Sequence, residues 1–264
     1  MSKEIQTKQG TLPTTGFANN IVDDVFDDIQ VDASDIVIPK LLLMQQSSQY
    51  VAADKAKMGD FVNSITAAKL GTIVDPIEII PFYHRKSWDI VNKDDNNSYI
   101  RNEPFTAQNA DLPWDDKEGA MNIRRIKRLD FFCMVPKLLK EGSILPVVVS
   151  FKSTSYKTGA IILTEWSEIK AKNDMLKAKG ELNALKLPFS KSFILAGNKL
   201  TNDKKQTYCT STVQVGLDVD IDTQKMCLQW MQTLKTSKNV VVDDSEERDA
   251  STTNTGADVG TGDF

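Results

Sequence analysis

The alternation of apolar and polar positions changes character several times along the chain. Residues 1 to 20 are polar and punctuated by Gly10, Pro13 and Gly16, which predicts a mobile arm. From Asn20 to Ile36 the apolar positions Ile21, Val25, Phe26 and Ile29 recur at helical spacing among aspartates, predicting a short acidic amphipathic helix. Ile38 to Gln46 is an apolar lead-in, followed by a turn at Lys57-Met58-Gly59-Asp60 and a short strand from Phe61 to Thr66. Beyond it the pattern is that of strands: Ile73 to Val91, bent at Pro76 and Pro81; Arg124 to Val135; and Pro146 to Lys152. The polar stretch Asp94 to Gly119 reads as a surface insertion, being too long for a tight turn.

A helix follows, capped by Ser155, with Ile162, Trp166 and Ile169 on one face and a stop at Gly180. Phe189 to Leu200 and Gln206 to Val219 then flank the hairpin signal Thr201 to Lys205. A last amphipathic helix runs from about Asp222 to Leu234, with Met226, Trp230 and Leu234 four apart. The expected class is mainly β with helices (α+β). Five strands with a helix between the third and fourth give the element order of an OB-fold-like five-stranded barrel, here with an inserted loop and a C-terminal helix.

Composition narrows the chemistry. The chain has 264 residues, 41% of them hydrophobic, enough for a buried core. No uncharged apolar run reaches membrane-spanning length and no signal-peptide core opens the chain, so a cytoplasmic protein without membrane contact is expected. Three cysteines fit neither a disulfide framework nor a zinc site, and a single histidine, His84, removes most nucleophilic and metal-site arrangements. No phosphate-binding glycine motif occurs. These features argue for a binding protein, with no cofactor and no catalytic residue, and place His84 at the surface or in a stack.

The net charge of −4 conceals a segregation. Residues 1 to 35 carry −5 and residues 240 to 264 carry −6, so residues 36 to 239, with 29 bases against 22 acids, carry +7. Three parts follow: an acidic arm (1–35), a nucleic-acid-binding domain (36–239) and a disordered acidic tail (240–264). A basic body with acidic ends suits a polyanionic partner, because the field depends on local charge.

Candidate contacts come from mixed basic and aromatic runs. In Gln206 to Leu217, Cys209, Val213, Val215 and Leu217 form an apolar face, which turns Tyr208 outward beside Lys204 and Lys205. A ring on a polar face beside cations suits base stacking with phosphate contact. The same mixture recurs in Tyr83, Arg85, Lys86 and Trp88, in Arg124, Arg125, Lys127, Arg128 and Phe132, and at Lys152. The four aspartates Asp23, Asp24, Asp27 and Asp28 offer a divalent-metal site, against which stands the absence of any evident scaffold around them; no metal is expected.

The acidic, small-residue tail ends in Asp263-Phe264. A tethered terminal ring with adjacent carboxylates can enter an apolar recess rimmed by Lys and Arg on a partner. With the basic β domain, this tail resembles the single-stranded-DNA-binding proteins of bacteria and podovirus-type phages. The segments Ile38-Pro39-Lys40-Leu41-Leu42-Leu43 and Gly59-Asp60-Phe61-Val62-Asn63-Ser64 look like the opening of a family of small phage proteins. The resemblance implies non-catalytic coating of single-stranded DNA in phage replication, recombination or repair, with replication proteins recruited through the tail. A virion structural or packaged protein is the alternative, a metal-dependent nuclease a more distant one, and the sequence leaves room for a homodimer.

Overall fold

The computed structural model describes residues 36–203, 205–236 and 241–242. The expected acidic arm and its helix, and all but the first residues of the tail, lie outside them. The strands are β1 (Val37–Ile38), β2 (Leu41–Leu43), β3 (Phe61–Asn63), β4 (Lys69–Gly71), β5 (Ile77–Asn92), β6 (Ser98–Pro104), β7 (Asp115–Glu118), β8 (Met121–Met134), β9 (Val147–Lys152), β10 (Lys191–Thr201), β11 (Thr207–Asp218) and β12 (Val241–Val242). The helices are α1 (Gln49–Ala52), α2 (Pro136–Lys140), α3 (Tyr156–Ala178) and α4 (Ile221–Thr236).

All five anticipated strands form, as β5, β8, β9, β10 and β11, and the chain is α+β, mainly antiparallel β. They pair in the order β11-β10-β5-β8-β9. The closed barrel is not found: among the described residues β9 and β11 do not pair, and no sheet closes on itself. Helix α3 lies at that seam, with Thr158 Oγ1 donating to the Ser211 carbonyl at 3.2 Å. The lead-in fills more of it. The Val148 N–H donates to the Pro39 carbonyl, and the side-chain amide of Gln45 bonds both the N–H and the C=O of Cys209, at 2.8 and 2.9 Å.

The inner face of the sheet buries Ile79, Phe131, Cys133, Phe151, Phe193 and Val213 against α3, which contributes Ile162 and Ile169 as its spacing predicts. A Cβ on Gly159 would lie 2.8 Å from the Phe151 ring, so this helix sits directly on β9. The Ser155 hydroxyl does not cap the helix; it bonds the backbone of Lys152 across a short 3-10 turn. Gly180, at φ +78, ends the helix as expected. On the outer face α4 covers Ile80, Phe82, Phe132 and Met134 with Cys227, Leu234 and half-buried Trp230. Asp220 starts α4 by accepting from the Thr223 N–H.

Strands β5 and β8 continue past this core. There the expected surface insertion is itself ordered: β6 pairs with β5 and β7 with β8, extending the sheet into a four-stranded arm. Arg101 forks onto Glu118 across its tip at 2.8 and 3.0 Å.

Candidate nucleic-acid interface

Antiparallel register decides which side chains share a surface, because residues directly opposite point to the same face. A bulge between Pro81 and Tyr83 resets the phase of β5. From there Tyr83 lies opposite Phe132, Arg85 opposite Asp130, and Ser87 opposite Arg128, while β9 adds Ser150 beside Asp130 and Lys152 beside Arg128. Asp89 lies opposite Asn102 of β6, and Val91 opposite Arg124. The outer face therefore gathers Tyr83, Arg85, Arg124, Arg128, Phe132 and Lys152 from the expected contacts. Lys86, Trp88, Arg125 and Lys127 point to the other side.

The outer face is an ordered polar network. Arg128, its side chain only 3% exposed, donates through Nε to Asp130 at 2.8 Å and reaches Asp89 at 3.4 Å. The Ser150 hydroxyl donates to Asp130 at 2.6 Å, and the Asn102 amide to Asp89 at 2.7 Å and to Ser87 at 2.8 Å. Two buried carboxylates thus hold one buried guanidinium, the arrangement that makes its burial tolerable. Arg124 and Lys93 bind Asp115 at the arm's edge and hold its carboxyl down to about 2. Above the network a cavity of about 230 Å³ is lined by Arg85, Lys86, Ser87, Asn102, Arg128 and Asp130, with Pro104 and Val242 at its walls. Arg85 has its guanidinium 4.8 Å over the Phe132 ring and no carboxylate partner among the described residues, and neither has Lys86. Of the two, Arg85 is on the groove face and is the cation the cavity leaves for an anion; Lys86 lines the cavity from its strand but sends its side chain to the other face.

Several expected roles change. Trp88, 1% exposed, and Phe132 are buried, Trp88 in the arm and Phe132 under α4, so neither ring offers a face to a base. Arg128 is committed to its carboxylates, and Arg125 to Asp116 and the Pro113 carbonyl. Tyr208 does point outward, 37% exposed, opposite exposed Leu200, but on β11, which two strands separate from β8. Lys205 is exposed at the hairpin; Lys204 lies outside the described residues, as do Asp263, Phe264 and the aspartates from Asp23 to Asp28. Along β11 the expected apolar face is buried only to Val213; Val215 and Leu217 are exposed.

His84 is neither at the open surface nor on the groove. It lies on the inner face, edge-on to Trp166 at 5.6 Å and near Phe131. Burial, helped by the Lys86 charge, holds its imidazole below the ordinary value of 6.5. The unfolded chain then takes up a proton that the folded chain refuses, so this contribution to stability is present above about pH 6.5 and is lost as pH falls toward the lower folded value. His84→Phe should show a smaller drop in melting temperature than wild type between about pH 7.5 and about pH 5.5. An identical drop in both proteins would remove His84 as the cause.

The residues that sequence reasoning missed are the acids Asp89 and Asp130 with Asn102 and Ser150 around Arg128, and Trp114 and Phe105 on the arm. The period-two run Arg124, Ile126, Arg128, Asp130, Phe132 is the signal that would have found the shared face.

Comparison with known proteins agrees with a viral source. A family model described as Pam3 phage gp34-like protein matches residues 23–239, and the chain belongs to that bacteriophage family. No curated protein and no solved structure matches. Among the described residues no helix is long and apolar enough to cross a membrane.

Proposed function

We propose that the chain is a single-stranded-DNA-binding protein that coats single strands during phage DNA replication, recombination or repair. The observation that carries this reading is the register that gathers Arg85, Arg128 and Lys152 on one face of β5, β8 and β9, beside a cavity where Arg85 has no carboxylate partner among the described residues. Numbered in chain order, the five strands pair 5-4-1-2-3 with the helix between the third and fourth, which supports an OB-fold left open between strands 3 and 5. OB-folds take oligonucleotides on the face of strands 2 and 3, between the loops joining strands 1 to 2 and 4 to 5. Here the cavity lies on the same side of the sheet over strands 1 and 2, with Lys152 of strand 3 beside Arg128; the first loop is the arm, and the second carries Lys205, with Tyr208 at the start of strand 5. Backbone phosphates would meet Arg85 and Lys152, and no residue performs chemistry. The acidic tail, ending in Asp263-Phe264, would recruit replication proteins in the host cytoplasm.

Fluorescence anisotropy with single- and double-stranded oligonucleotides over a salt series tests the proposal. Single strands should bind more tightly, with log K falling by roughly 0.7 per log salt for each phosphate neutralised. The double variant Arg85→Glu, Lys152→Glu should weaken binding at least tenfold and flatten that slope by about 1 to 2 units. Equal or tighter duplex binding, or a double variant that binds like wild type, overturns the proposal and leaves the virion-protein reading.

A further inference from the structure

On the face of β5 and β8 turned away from the groove, the arm carries a second cluster. Lys127 lies opposite Trp88 in the register, and its ammonium sits among three rings, 5.4 Å from Trp88, 5.9 Å from Phe105 and 5.8 Å from Trp114. Trp88 is the buried floor; Trp114, edge-on to it at 6.3 Å, is 57% exposed. The acids sharing this face are already engaged: Glu103 and Glu118 by Arg101, and Asp116 by Arg125. Lys127 has no carboxylate among the described residues. Two buried donors on the same face, Trp88 Nε1 and Arg125 Nε, have no acceptor.

A half-buried ammonium without a counter-ion, two donors without acceptors and an open indole together call for a ligand that is flat, rich in acceptors and anionic. A nucleotide has those three properties in one unit. We propose that this arm holds one nucleotide of a single strand, its base stacked on Trp114 and its phosphate oxygen accepting from Lys127. The inference rests on the single-strand reading and adds to it a stacking site separate from the cationic groove. An acidic peptide could answer the ammonium but would make no use of the exposed ring.

The test uses the full chain and an oligothymidylate of about ten nucleotides, read by intrinsic tryptophan fluorescence and by anisotropy. Wild type should show saturable quenching. Trp114→Ala, at an exposed position that leaves the far-ultraviolet spectrum unchanged, should lose most of the quenching and bind about tenfold more weakly with an unaltered salt slope. Lys127→Met should instead lower the slope by about 0.7. An abasic strand of the same length should bind wild type without quenching. If Trp114→Ala quenches and binds like wild type while Arg85→Glu, Lys152→Glu loses binding, the arm site is wrong and the single-strand reading stands. If an acidic peptide quenches and the oligonucleotide does not, or if no form binds the strand, the arm site falls.

Discussion

Trp88→Ala should destabilise the protein by about 3 to 5 kcal/mol, the range for deleting a fully buried large aromatic side chain. The ring is closed in by Phe105 at 5.5 Å, by Trp114, and by Ile90 and Ile123. Without it the arm's apolar cluster keeps only Ile90, Ile123, Ile100 and Phe105, and the mostly polar β6 and β7 depend more on their pairing with β5 and β8. For a domain of this size, 3 kcal/mol corresponds to a fall in melting temperature on the order of 10 °C, measurable by circular dichroism. This separates two tryptophans that look alike in sequence. Trp114→Ala should cost binding and little stability, Trp88→Ala stability first and binding only as the arm loosens. A Trp88→Ala protein that melts within about 2 °C of wild type would show that the ring does not organise the arm.

Asp130→Ala is expected to cost about 3 kcal/mol, by weakening the compensation of a buried guanidinium. It removes the 2.8 Å bond from Arg128 Nε and the 2.6 Å bond from the Ser150 hydroxyl, leaving Asp89 at 3.4 Å to answer more of the charge. Asp130→Asn keeps the shape and one acceptor and should cost less. Urea titration resolves the order: the midpoint should fall furthest for alanine with an unchanged m-value. If asparagine is as damaging as alanine, charge rather than hydrogen bonding dominates the site; if neither moves the midpoint, the network does not stabilise the fold.

The strands of the barrel-like half were legible because each alternates or is continuously apolar between strong turn signals, as in Val147 to Val149 and along β10. The arm was not, because its strands owe their form to hydrogen bonding with the overlong β5 and β8 and to charge pairs such as Arg101 with Glu118, so no hydrophobic period marks them. The candidate site was half legible. Its cations are conspicuous as runs, but a run on a strand is divided between two faces. The division in β5 follows the bulge, after which the inner positions pass from odd (Ile77, Ile79) to even (His84, Lys86, Trp88). That phase change is invisible without the partner strand. The neutralising acid also comes from a distant place: Asp89 meets Arg128 across 39 positions of sequence.

The parallel pairing of Val37 with Val241 and Ile38 with Val242 has an electrical consequence. It sets side by side the points where the two acidic segments, carrying −5 and −6, join a body carrying +7, and Val242 there is a wall of the outer-face cavity. Both acidic segments thus join the body next to the cavity proposed for the strand, so their charge is tethered where a polyanion would dock. That opposition fades as salt shortens the range of the field to about 10 Å at 0.1 M. A protein whose two chain ends left from sides remote from the groove would have the same net charge and no such opposition.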